Sequence, residues 1–280
     1  MDRILAAIDA SSYAGSVLAL CEWAAPRLHA TVELLHVIQR ASAAQGHQDL
    51  SGAIGLGEKS GLLEELTRLD EAEGKVAIER GRLLLQGAAD RLRQSGVPVE
   101  TLARHGGIVE TIVEREADAA LVIIGKRGAS HEFASDHIGS KVERVARASD
   151  KPVLIASREV RRPSTVVIAF DNSDAACRAV RYVATSPLFA DLPVQLVMAG
   201  SDDDRHRDQL GAAANSLPNG AETILRDGKV DAVIGGHMAD RRDAVLVMGA
   251  YGHSPLRTLI VGSTTTAMIR TFHAPVLLVR

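Results

Sequence analysis

Residues 249–263 read GAYGHSPLRTLIVGS: Gly249 and Gly252 stand three apart, nine residues intervene, and the pair Gly262-Ser263 follows. The apolar run Ala244-Val245-Leu246-Val247-Met248 precedes this stretch, and a helix-like segment beginning at Thr264 comes after it. A strand, a glycine-rich turn and a helix start make an anion cradle. Glycines let the backbone close on a phosphate, and the free N–H groups of a helix N-terminus point at it. Taken singly, Gly249 and Gly252 read equally well as turn glycines. The order of elements around them has to carry the reading.

Outward from the cradle, short apolar runs at 166–170, 194–199, 221–225, 244–248 and 275–279 alternate with helical patterns. The runs are too continuous for a one-sided sheet, so they predict parallel strands buried on both faces of an α/β unit. The same order stands earlier in the chain, at 4–8, 32–38, 97–103, 119–124 and 151–156. Anchor spacings make it a repeat. Asp9 to Val37 and Asp171 to Ala199 are both 28 residues, and Gly96 to Gly125 and Gly220 to Gly249 are both 29. Two copies of one five-stranded unit are expected, residues 1–158 and 163–280, meeting at the polar, Pro-containing link 157–164. Ser11 and Ser12 after the first strand, and Ser173 after the sixth, are expected to cap the helices that follow.

The first half is longer because of residues 41–95. Residues 41–61 are rich in Ala, Gly, Ser and Gln without a period and read as a loop. Leucines at 62, 66, 69, 83, 85 and 92 among alternating charges predict a helix over 62–95. Such a helix would be ~50 Å long, more than twice the length of a typical strand. It must overhang the sheet or break near Gly74 or Gly81. Two roles stay open, a layer helix on its own sheet or an arm that contacts a second subunit or covers the first-half site.

The chain of 280 residues is 46% hydrophobic, enough for one large core or two ordinary ones. A net charge of -3 and a pI near 6.4 give no electrostatic case for nucleic acid. Apolar runs of about five to seven residues fall far short of the ~20 that insert across a bilayer. The strand pattern beginning at Arg3 leads us to expect no signal peptide. The two cysteines, Cys21 and Cys177, both lie in helical patterns and read as semi-buried structural thiols in a reducing compartment. The expected location is cytoplasmic.

Two copies of strand–Asp–Ser-capped helix, each ending in G-x-x-G…G-S and a Pro-Val-Leu strand (SDKPVLIAS and FHAPVLLVR), resemble a tandem universal stress protein of the UspA-like family. The resemblance covers the chain apart from 41–95. It implies two Rossmann-like domains of the adenine nucleotide alpha hydrolase-like type, paired as a pseudo-dimer through their last strands, with ATP or ADP as ligand and Mg as an accompanying ion. Carried over to the second half, it implies that Asp171 lies near the adenosine and that the backbone of Ala199 meets the adenine edge. Gly249 would sit by the ribose, and Gly252, Gly262 and Ser263, with Thr264 beside them, would line the phosphates. Asp171 with Asn172 and Ser173 also reads as a plain helix cap.

The first half departs from this pattern. Gly125-Lys126-Arg127-Gly128 is followed by ten residues, ASHEFASDHI, before Gly139-Ser140. The extra residue shifts the turn, and Glu132 and Asp136 put acids where the second half has Arg257. An acid near a phosphate costs about 1 kcal/mol at 4 Å even in water. Lys126 and Arg127 pull the other way. We expect the first half to bind nucleotide weakly or not at all. His131, Glu132, Asp136 and His137 lack the spacing of a metal site and read as a solvated loop. The run Asp202-Asp203-Asp204 suits the N-terminal dipole of a short helix.

There is no G-x-S-x-G, H-E-x-x-H, C-x-x-C or Walker lysine in the chain. No catalytic residue and no metal ligand is assigned, and slow ATP hydrolysis is the most the pattern supports. Three readings follow: a nucleotide-responsive stress-response protein, an interaction scaffold with vestigial sites, or an ATP-cleaving enzyme in which Asp171 holds a metal. A protein partner and a homodimer contact through the long helix are further expectations.

Overall fold

A computed structural model describes residues 2–38, 56–128, 140–250 and 273–280. Its first strand, β1 (Arg3–Ala7), shows how the sheet is built. Ile4 and Ala6 enter one core and Leu5 and Ala7 the other, as the two-residue period of a strand buried on both faces demands. Next come α1 (Ala14–Leu28), β2 (Thr31–Ile38), α2 (Leu56–Gln94), β3 (Val99–His105), α3 (Ile108–Arg115), β4 (Ala119–Gly125), α4 (Ser140–Ala148) and β5 (Val153–Ala156). The order then begins again with β6 (Thr165–Ala169), α5 (Asp174–Thr185), β7 (Val194–Ala199), α6 (Asp204–Asn215), β8 (Glu222–Arg226), α7 (Val230–Met238), β9 (Ala244–Gly249) and β10 (Val276–Val279).

The described strands form one ten-stranded sheet in the order β3-β2-β1-β4-β5-β10-β9-β6-β7-β8. Each half is parallel and doubly wound, reversing direction between its first and fourth strands. The halves join where β5 and β10 pair antiparallel, with Leu154 opposite Leu277. Both cores run across this seam. Leu154, Ala156, Leu277 and Val279 serve the face covered by α1, α2, α5 and α6, while Val153, Ile155, Val276 and Leu278 serve the face covered by α3, α4 and α7. The α1 helix adds to the join. Trp23 packs on Phe189 at 6.3 Å, Arg27 Nη1 donates to the carbonyl of Ala190 at 2.9 Å, and Ser16 Oγ donates to that of Arg158 at 2.8 Å. The expected pseudo-dimer is therefore a single continuous sheet with shared cores.

Two expectations need correction. Neither Ser11 nor Ser12 caps α1: the helix is preceded by Tyr13, which makes no side-chain cap bond, and Ser11 Oγ accepts from the Tyr13 N–H at 3.3 Å. Ser173 does cap α5, accepting from the Ala176 N–H at 3.2 Å. The difference begins one residue after each aspartate. Asn172 takes a left-handed φ of 59°, which Asn tolerates. Ala10, its counterpart, does not, and α1 starts two residues later in the repeat than α5. The thiols are also unlike each other. Cys21 is buried, with burial pushing its pKa far above the usual range, whereas Cys177 is exposed.

The α2 helix does not break at its glycines. It runs unbroken for 39 residues, ~58 Å at 1.5 Å per residue. Among its described side chains the buried ones lie in the C-terminal part, at Gly81, Leu85, Ala88, Ala89 and Leu92. Gly81 lets it press on the ring of His36, which would stand 2.7 Å from a Cβ there. The preceding turns overhang the sheet.

Candidate functional site

Register places the ends of three adjacent strands together in each half. In the second, Ala169 of β6 pairs with Val197 of β7 and with Met248 of β9. Asp171 lies two residues beyond Ala169, Ala199 two beyond Val197, and Gly249 one beyond Met248. In the first, Ala7 pairs with Leu35 and Ile124, which sets Asp9, Val37 and Gly125 at the same offsets. These are the carboxyl ends of the strands that flank the reversal of strand order, where open α/β sheets form their ligand crevice. Of the residues expected at the second site, Asp171, Ala199 and Gly249 thus come to one rim. Gly252, Gly262, Ser263 and Thr264 lie outside the described residues. So do His131, Glu132, Asp136, His137 and Arg257.

The two aspartates are held alike. Asp171 Oδ1 accepts from the Ser173 N–H at 3.0 Å, and Asp9 Oδ1 from the Ser11 N–H at 3.1 Å. Asp171 is exposed and makes no ion pair among the described residues. Gly249 is fixed by sterics. A Cβ there would collide with the carbonyl group of Ala175 and stand 2.6 Å from the Ala176 nitrogen. Only glycine lets the start of α5 close on the end of β9.

Asp9, Ser11, Tyr13, Arg127 and Lys141 rim a small cleft of ≈ 80 Å³, floored by Ala7, Ile8, Val37, Ile124 and Gly125. An apolar floor with a few polar groups at its rim is the lining of a small-molecule site. Gly128 passes over Asp9, whose Oδ2 would lie 2.8 Å from a Cβ on it. The buried Tyr13 leans on Gly125, its Cβ 2.8 Å from where one on that glycine would be. Tyr13 corresponds to Ala175 in the repeat, so four residues past each aspartate was the place to find this difference in the sequence. Lys126 is buried as well. Desolvation, and then the charge of Arg127, lowers its pKa to about 8. Its backbone N–H donates to the carbonyl of Ala156 at 2.9 Å, as that of Ala250 does to Val279 at 2.8 Å. The second half thus has a methyl group at the position of this lysine. Among the described residues no group of three or more His, Cys, Asp or Glu side chains is placed to hold a metal.

This fold and its paired crevices define a tandem Rossmann-like α/β protein. The chain matches the model of the universal stress protein family over residues 1–157 and 184–280. Universal stress protein Slr1230 of Synechocystis sp. is 32% identical over 287 residues, an alignment covering 100% of both chains. The chain belongs to the universal stress protein family. Among solved structures, a universal stress protein from Archaeoglobus fulgidus aligns with a TM-score of 0.72 at 20% identity, over 99% of this chain and 98% of that one. A putative universal stress protein from Pseudomonas aeruginosa aligns with a TM-score of 0.65 at 17% identity, over 100% and 93%. At those identities the likeness is one of fold.

Proposed function

We propose that this universal stress protein binds ATP or ADP, with or without Mg, at the rim formed by Asp171, Ala199 and Gly249, and acts as a nucleotide-dependent regulator in the cytoplasm. One observation carries the proposal: register brings these three residues to adjacent strand ends at the point where strand order reverses. Ligands of open α/β sheets bind there, and the G-x2-G-9x-G-S sequence begins at the same glycine. Asp171 would orient a ribose hydroxyl or a cation, the backbone of Ala199 would meet the base, and the turn from Gly249 through Gly252 to Gly262, Ser263 and Thr264 would surround the phosphates. Among the described residues none is assigned to activate water, and we read the protein as a binder rather than a catalyst.

The open first-half cleft supports a second reading, in which Asp9, Arg127 and Lys141 hold a further ligand of similar chemistry. Calorimetric titration with ATP and ADP separates the two. One equivalent bound, lost in Asp171→Ala and retained in Asp9→Ala, supports the first reading. Two equivalents, each lost with its own aspartate, support the second. No heat, and no nucleotide released on denaturing the purified protein, would leave a scaffold. Turnover above ~1 per second would require an enzyme instead.

A further inference from the structure

The first two long helices of each half lie side by side on one face of the sheet, and only the first half ties them together. There Arg91 of α2 donates from Nε and Nη2 to the Glu22 carboxylate of α1, at 2.8 and 3.1 Å, and Ser95 Oγ donates to the same carboxylate at 3.2 Å. The repeat shows what stands at these places in the second half. Val17, Leu18 and Cys21 of α1 recur as the buried Ala179, Val180 and Val183 of α5, which sets Ala184 at the place of Glu22. Leu85, Ala88, Ala89 and Leu92 of α2 recur as the buried Leu210, Ala213, Ala214 and Leu217, which sets Ser216 at the place of Arg91. A methyl group and a hydroxyl cannot span two helices. A groove of ≈ 630 Å³ lies between α5 and α6 instead, with Ala184 and Ser216 in its lining. That is the volume of a small-molecule site.

The lining is apolar at its floor and charged on both sides. Phe170, Val180 and Ala213 are buried, and they supply the floor with Ala184 and Ala212. Arg181 enters from α5 and Asp208 from α6, both exposed, and neither makes an ion pair among the described residues. Asp208 has an arginine beside it in the chain, but Arg207 is taken by Asp202 and Asp204. One cation and one anion thus stand on facing helices with apolar surface between them. A plain anion would meet Asp208 and a plain cation Arg181, each a like-charge contact that disfavours it. A molecule with a carboxylate at one end and an ammonium at the other satisfies both through charge-assisted hydrogen bonds.

We propose that the α5–α6 groove binds a small zwitterion with an apolar body, the chemistry of an apolar amino acid or a dipeptide of such residues. Its carboxylate lies on Arg181, its ammonium on Asp208 and its side chains on the floor at Phe170 and Val180. The groove begins beside Asp171, between Phe170 and Asn172, but Asp171, Ala199 and Gly249 do not line it. It is a site separate from the strand-end rim.

Cys177 is exposed in the same groove, so its reactivity reports on occupancy. The test is calorimetry of the full chain with L-leucine and with L-leucyl-L-leucine at millimolar concentration, beside the rate at which a disulfide reagent labels Cys177. One equivalent of at least one of them should bind and slow the labelling, and the tighter of the two gives the ligand's length. Blocking either end of that compound, by N-acetylation or as the amide, should weaken binding about tenfold. Arg181→Ala should remove the discrimination against the amide, and Asp208→Ala that against the acetylated form. Both positions are exposed, so the variants keep the fold, which circular dichroism verifies. Absence of binding by both zwitterions, or binding that leaves Cys177 labelling unchanged, would overturn the proposal. So would binding that neither substitution alters.

Discussion

Gly249 and Ala175 are in backbone contact: the last residue of β9 lies against the peptide group that opens α5, with no room between them for a methyl group. The corresponding glycine of the first half, Gly125, meets the Tyr13 side chain instead. Gly249→Ala should therefore cost about 3 kcal/mol or more, because a strand and a helix must move apart, whereas Gly125→Ala should cost about 1–2 kcal/mol. Urea unfolding of the two variants checks the order. The reverse ranking would mean that the close approach at Gly249 is not maintained in solution.

Glu33 is 3% exposed and held by two arginines, with Arg3 Nη1 at 2.9 Å and Arg115 Nε at 3.0 Å from its oxygens. Removing the carboxylate leaves two guanidinium groups facing a buried gap. Both arginines keep some access to water, which lowers the penalty below that of a fully enclosed pair, and Glu33→Ala is expected to cost about 2–4 kcal/mol. Thermal melts at low and high salt provide the measurement. A loss under 1 kcal/mol would show the cluster to be a surface ion pair in effect.

Lys126 predicts a pH effect of unusual sign. Its folded pKa, lowered to about 8 by burial and Arg127, lies below the 10.5 of the unfolded chain. Between those values the unfolded state binds more protons, so stability rises with pH. Below pH 8 the cost of burying the ammonium is fully present. As pH climbs from 8 toward 10.5 the lysine sheds its proton and the cost disappears. Lys126→Met should stabilise the protein at pH 7 by about 1–3 kcal/mol, a gain that shrinks steadily up to pH 10. Denaturant midpoints at pH 7, 8.5 and 10 test it, and a constant difference would rule out titration as its cause.

The thiols should separate cleanly in a reactivity assay. Cys21 is buried and held protonated, and Cys177 is exposed on α5. In the native protein one thiol per chain is expected to react with a disulfide reagent, and the second only on unfolding. Cys177→Ser should abolish the fast phase. Two fast thiols would mean that α1 opens readily.

The repeat was legible because parallel strands buried on both faces write themselves as apolar runs, and the spacings from Asp9 to Val37 and Asp171 to Ala199 fix where the runs end. The strand-end rims came from the resemblance to the family rather than from the spacings. Sequence alone did not convey the start of α1. Serines at 11 and 12 have the chemistry of a cap, but a cap also needs the chain to turn, and Asn172 turns where Ala10 does not. Nor did the composition of residues 125–140 disclose the open cleft above Asp9, because its floor comes from β1, β2 and β4 and its Tyr13 wall from the turn before α1. The body of α2 was visible in its leucines, but its first turns, residues 56–61, fall in a stretch whose composition reads as loop. Its refusal to break at Gly74 and Gly81 was not visible, since a glycine lowers helix propensity by only ~1 kcal/mol and 37 other residues of the helix outvote the pair.

The antiparallel join of β5 with β10 has a directional consequence. Strands on one side of it point their carboxyl ends toward one rim of the sheet, and strands on the other side toward the opposite rim. The crevice at Asp9 and the crevice at Asp171 therefore open on opposite edges of one plate, out of each other's sight. A molecule bound in one cannot touch a molecule bound in the other, nor can a small partner read both at once. Any conversation between the two rims must pass through the plate itself, across the four residues of each central strand and the side chains of Leu154 and Leu277 between them.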